Sequence, residues 1–199
     1  MSDDILRWHA AATVVKFEPA TVLDMIRHVG REPLGHEIED LVQRGVFEPD
    51  DIHHEDGNLL TTAGLNRLTS LFEGAGGAVF NNAQAIIGVG SSTTAAAVGD
   101  TALGGNGSAS TAYYQGVDTG YPTQSGGVIN ANATFGTSNG NFTAGWQEWC
   151  LAIATGTITP GATLASVGTS PIMFNHKVAN LGVKANGAIW TLQATCTIS

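Results

Sequence analysis

Two adjacent histidines, His53 and His54, stand among Asp51, Glu55 and Asp56, which are the residue types of a metal centre. Neighbouring residues on a loop or strand point apart, however, and no second His/Cys cluster completes a coordination shell. We read Glu48 to Gly57 as a solvated acidic linker. Gly88-Val89-Gly90-Ser91-Ser92-Thr93-Thr94 follows a strand-like run, as a phosphate loop does. It lacks the Gly-Lys-Ser/Thr ending of a P-loop and the third glycine of a dinucleotide fingerprint, so we read it as structural. Nucleophilic catalysis needs a base beside a serine, and residues 74–199 hold one histidine, His176, in Asn175-His176-Lys177. With Phe174 and Val178 as its inward neighbours, it reads as a satisfied core or interface histidine. Glycoside hydrolysis needs two facing carboxylates, and this half of the chain offers only Asp100, Asp118 and Glu148. Glu148 beside Trp146 and Trp149 suggests a sugar-stacking surface, but alternation along a strand sends Trp149 to the opposite face. These residues point to no enzyme, no cofactor and no bound metal.

The elements that hold them are organised around Gly145 to Ala154. A period of two puts Gln147, Trp149, Leu151 and Ile153 on one face, and Trp146, Glu148, Cys150 and Ala152 on the other. The first face reads as packed on a second sheet, which makes this the central strand. Further strands are expected over Gln84 to Val89, Ala112 to Val117, Val128 to Phe135, Ile172 to Val178 and Ile189 to Ile198. Turn residues separate them, and Asn139-Gly140 and Asn186-Gly187 are hairpin signals. Short strands without intervening helices predict a mainly β fold, an antiparallel β-sandwich or barrel-like domain over 75–199. The small-residue loop Ser91 to Ser110 is expected to wrap over the sheet or a neighbour.

Ahead of this domain the pattern changes. Ala20 to Val29 and His36 to Arg44 carry apolar residues at helical spacing, with Pro19 before the first and Gly30 and Gly45 closing them. Helices this short need a surface to dock on. Leu6 to Phe17 reads as an arm or an added strand. Residues 1–56 are thus expected to form an α-rich attachment region ending in the acidic linker. Residues 57–74 are expected to hold a helix capped by Thr61 or Thr62, with Leu65, Leu68, Leu71 and Phe72 on one face.

Charge divides the chain in the same place. Residues 1–73 hold six of the eight basic and 14 of the 17 acidic residues; residues 74–199 hold only Asp100, Asp118, Glu148, Lys177 and Lys184. Soluble domains carry about a quarter charged residues, so this neutral half suits a protein covered by neighbours. A neutral, hydroxyl-rich monomer is the alternative. The net charge of −9 argues against a nucleic-acid partner. No run of about 18 apolar residues could span a bilayer, and no secretory leader is legible, so synthesis in a cytoplasm is expected. Cys150 and Cys196 read as small buried apolar residues rather than a disulfide.

Gly57-Asn58-Leu59-Leu60-Thr61-Thr62-Ala63-Gly64-Leu65, then Ile86 to Ala96 and Gly99-Asp100-Thr101-Ala102-Leu103, resemble a pattern in virion proteins of tailed bacteriophages. Trp146-Gln147-Glu148-Trp149, Phe174 to Val178, Leu181 to Lys184 and Trp190-Thr191-Leu192 are similar to the same group, phages of actinobacteria especially. The resemblance covers residues 57–199. It implies a structural part of the particle (capsid decoration, head fibre or minor tail component) with no catalytic residues. It also implies other virion proteins as partners and self-association, trimers being common on such shells. Decoration of the capsid surface is the favoured expectation; a tail component that binds host glycans is the alternative. The expected interaction surface comprises Val22, Met25, Ile26, Ile38 and Leu41 for attachment, and Tyr113, Tyr114 and Tyr121 for contacts outside.

Overall fold

A computed structural model describes residues 8–106, 108–158 and 171–198. The chain runs β1 (Trp8–Phe17), α1 (Pro19–Val29), α2 (Gly35–Gln43), β2 (Asp51–Asp56), β3 (Leu59–Leu60), α3 (Thr62–Phe72), β4 (Ala85–Gly90), β5 (Ala112–Gly116), β6 (Thr123–Ser125), β7 (Val128–Phe135), β8 (Trp146–Ile153), β9 (Ile172–Met173), β10 (Asn175–Gly182) and β11 (Ile189–Ile198). The fold is mainly β, built from two antiparallel sheets. One has the order β2-β1-β11-β7-β6 and the other β3-β10-β8-β4-β5, with β9 paired to β8.

Period-two alternation explains how the sheets meet. Ala10, Ala12 and Val14 of β1, Ala131, Ala133 and Phe135 of β7, and Leu192, Ala194 and Cys196 of β11 turn one way. They share a single apolar cluster with Ile87 and Val89 of β4 and with Trp149 and Leu151 of β8. Phe135, Trp146 and Trp190 form an edge-to-face chain at one end of it, with centroids 4.8 and 5.1 Å apart. Cys150 and Cys196 are buried free thiols.

The other face of the first sheet is covered by the two amino-terminal helices. Val22, Met25 and Ile38 pack on Phe17 and Ile189, with Ile26 at the margin, and Leu41 is buried as well. The surface these helices need is therefore this chain's own sheet. The region before residue 56 combines these two helices with strands and is not set apart from the sheet as an arm. It supplies β1, which lies between β2 and β11 and pairs with β11 from Trp8–Ile198 to Phe17–Ile189. Strands from both sides of residue 56 thus share one sheet.

Three further expectations are corrected. The acidic linker contains an edge strand, β2, whose Asp51 accepts from Lys16 Nζ at 2.8 Å. Outward carboxylates on an edge discourage pairing with another sheet, so the charges that read as a linker fit an edge. The Asn139-Gly140 and Asn186-Gly187 turns do not close hairpins, because β7 and β8, and β10 and β11, belong to opposite sheets. The tight hairpin is at Gly126-Gly127 between β6 and β7, where φ values of 58° and 80° are open to glycine at little cost. The strand expected over Ile172 to Val178 is interrupted at Phe174. There the Asn175 side-chain oxygen replaces a backbone acceptor for Leu151 N, at 2.8 Å.

A chain lacking residues 1–17 should lose cooperative thermal unfolding by circular dichroism, since β11 and β2 would each lose the strand they pair with. A truncated chain that melts at the same temperature as the full chain would show β1 to be a dispensable arm.

Candidate functional site

Glu148 lies on β8 with its side chain turned away from the inter-sheet core. Its strand neighbours are Gly90 on β4 and Val178 on β10. Gly90 makes room for it: a Cβ there would fall 2.3 Å from Glu148 Oε1. The glycine-rich run that resembles a phosphate loop is therefore spaced for a carboxylate. The loop after β4 then folds down over this face. Leu103 packs with Ile86, Tyr114, Cys150 and Met173, so the outer side of the second sheet is also an apolar layer. Of the two coverings expected for this loop, the sheet is the one observed.

Within that layer Glu148 is wholly buried and His176, on β10, is 3% exposed. His176 Nε2 lies 2.9 Å from Glu148 Oε2, and its Nδ1 lies 2.6 Å from Asp100 Oδ2. Two carboxylates accept from one ring, which requires a proton on each nitrogen, the imidazolium form. Glu148 also accepts from the backbone N–H groups of Gly104 (2.8 Å), Gly105 (3.0 Å) and Ser92 (3.3 Å). Asp100 accepts from Ala97 N at 2.7 Å. The cluster joins β8, β10 and both ends of the loop.

Its electrostatics follow from competing causes. Burial favours neutral Glu148, but the His176 bond and the Gly105 and Gly104 amides outweigh it and hold the carboxyl below its ordinary range. Asp100 is likewise lowered: burial opposes, and the Ala97 amide and His176 prevail. His176 is raised, because its two carboxylates outweigh the cost of burying a cation. With both ring nitrogens engaged, His176 offers no lone pair to a serine. The arrangement fastens a loop; it does not activate a nucleophile.

The other anticipated residues lie elsewhere. Trp149 is in the inter-sheet core, on the opposite face from Glu148. His53 and His54 alternate on β2, where His54 Nδ1 is 3.0 Å from Thr13 Oγ1. Among the described residues no three His, Cys, Asp or Glu side chains converge as metal ligands do. Tyr113 lies in the inter-sheet cluster and Tyr114 in the layer under the loop; Tyr121 is half-buried and its hydroxyl donates to Glu39 Oε1 at 3.0 Å. The sequence reads His176 as a core or interface histidine and does not pair it with Glu148 and Asp100. The available signal was scarcity: in a half with five charges, two acids and the single histidine are of types that are buried only when partnered. No family model matches the chain, and no curated protein or solved structure does either.

Breaking a buried ion cluster leaves an uncompensated charge, so Glu148→Gln should lower stability by about 3–5 kcal/mol and speed amide exchange at Gly104 and Gly105. Stability from the raised His176 is complete below about pH 6.5 and is lost as pH rises through its folded value. Stability from the lowered carboxyls is complete above about pH 4.5 and is lost as pH falls through theirs. The melting-temperature gap between wild type and His176→Gln should therefore be widest between those limits and shrink in alkali. A gap independent of pH would remove the imidazolium from the account.

Proposed function

We propose that this chain is a non-enzymatic structural protein of a tailed-phage virion that binds the capsid surface as a decoration or stabilising protein. The observation that carries the reading is the fate of the charges in residues 74–199. Glu148 is wholly buried, Lys184 is 2% exposed, and Asp100 is engaged by His176. Asp118 accepts from the Thr134 hydroxyl, and Lys177 bridges to Glu55 at 2.9 Å. Among the described residues the surface this half offers to solvent is mostly hydroxyl, amide and apolar, and neighbouring exposed apolar side chains include Phe72, Val98 and Val183. A surface poor in charge beside an acidic amino-terminal segment suits a protein that lays one side against others and keeps the other in water. The buried aromatics weigh against glycan stacking: Tyr113, Tyr114, Trp146, Trp149 and Trp190 present almost no ring surface outside.

Other virion proteins are the partners under this reading, with self-association, as a trimer for instance, matched to a symmetry axis of the shell. Binding to the assembled lattice alone would stabilise it by mass action. Quantitative mass spectrometry of purified particles should find the chain stoichiometric with the major shell protein or with its symmetry axes. Shells stripped of it should disassemble at a lower temperature and recover on its return. A handful of copies per particle, or shells indifferent to its removal, would overturn the decoration reading.

A further inference from the structure

A cavity of about 420 Å³ opens where the N-terminus of α2 crosses the ends of β5 and β7. Its polar walls include the carboxylates of Glu32 and Asp118 and the amide of Gln115. Gln115 is 4% exposed and its Oε1 has no hydrogen-bond partner. Among the described residues both oxygens of Asp118 accept from Thr134 alone, Oδ2 from the hydroxyl at 2.8 Å and Oδ1 from the amide at 3.3 Å, so each has acceptor capacity beyond these bonds. The chain crosses Asp118 so closely at Gly35 that a Cβ there would lie 2.3 Å from its Cγ.

Cations are in short supply around it. Glu32 lines the cavity with Asp118, and Glu39 stands near Asp118; His36 is the one basic residue among the described lining residues. Lys184 lies behind the wall, donating to Gly136 O and Asn141 Oδ1, both at 2.8 Å. Burial pushes the Asp118 carboxyl up to about 6, and the negative charge of Glu39 adds to the rise, while the Thr134 bonds oppose it. His36 also opposes the rise, so this is the behaviour of a buried carboxylate that its neighbours compensate only in part.

We propose that this cavity is a socket for a primary ammonium group, carried by a lysine side chain or by a small aliphatic amine. An ammonium is a compact charge whose three donors suit the two kinds of acceptor that line this cavity, the Asp118 carboxylate and the unpartnered Gln115 oxygen. A guanidinium prefers both oxygens of a carboxylate at once, and Thr134 already occupies one side of each. A divalent metal requires several converging ligands, which are lacking among the described residues. No described aromatic ring lines the walls to stack on a sugar. The socket is independent of the virion reading, although a lysine from a neighbouring subunit would suit both.

The test titrates butylammonium and Nα-acetyl-lysine amide into the full chain, followed by calorimetry and by the carbon resonance of the Asp118 carboxyl. Saturable binding is expected, with a lower Asp118 titration midpoint in the bound form. Affinity should fall about tenfold per pH unit below the midpoint near 6, as the carboxylate is lost. Asp118→Asn should weaken binding at least tenfold and remove the pH dependence. Gln115→Met should weaken it several-fold and leave the pH dependence intact. Binding of the lysine amide alone assigns the socket to a partner's side chain, and binding of butylammonium alone or of both assigns it to the ammonium itself. The proposal is overturned if neither probe binds a folded chain, if affinity survives Asp118→Asn, or if tetramethylammonium, which has no N–H, binds equally well.

Discussion

The rest of the structure depends on how one negative charge is kept out of water. Glu148 sits in the middle of the second sheet with no solvent contact, and an unpaired carboxylate there would be too costly to stay ionised. It is kept ionised by an imidazolium on the next strand and by loop amides that reach it only because the loop lies flat on the sheet. Each part requires the others. Gly90 is without a side chain because Glu148 occupies that space, and Asp100, carried by the loop, holds the other ring nitrogen of the imidazolium. A long connection poor in regular structure is thereby fixed by electrostatics as much as by the packing of Leu103.

The same layering recurs on the other side. The first sheet is covered by α1 and α2 through Phe17, Val22, Met25 and Ile38, the second by the loop through Leu103, Tyr114 and Cys150. Two coverings of different kinds flank one shared core. Strands buried on both faces carry apolar runs rather than strict alternation, as in Ala85-Ile86-Ile87-Gly88-Val89, where every residue is buried.

Most elements were legible because each depends on local pattern. The β7 and β11 boundaries follow from alternation between turn residues, and α3 from the Thr61 cap, whose oxygen accepts from Gly64 N. What sequence could not supply was the partner of each strand. Trp8 to Phe17 reads equally as an arm or a strand until β11, far along the chain, is placed beside it. The acidic run reads as a linker because charge is the ordinary mark of solvation, while an edge strand is solvated on one side too. Asn-Gly marks a reversal but not the sheet to which the chain returns. For the site, alternation placed Glu148 and Trp149 on opposite faces, yet the Glu148–His176 contact depends on the neighbourhood of β8 and β10 in the sheet. Asp100 is held through a loop that has no period to read. The α-rich reading of the amino-terminal region is incomplete for the same reason: its two helices are legible, and its strands have no visible partner.

The pairing of β1 with β11 also bears on the route to the native state. Its ladder joins residues 172 to 190 positions apart, from Phe17–Ile189 to Trp8–Ile198. No local event can form it, and closing so long a loop has an entropic cost before any contact compensates. The centre of the first sheet is thus assembled only after β11 has been synthesised. Until then β1 and β7 each lack the strand between them, and their apolar faces and open edges are free to find the wrong neighbour. Newly made chains accumulating at high concentration would be vulnerable during that interval, which makes assembly yield a question of kinetics as well as of final stability.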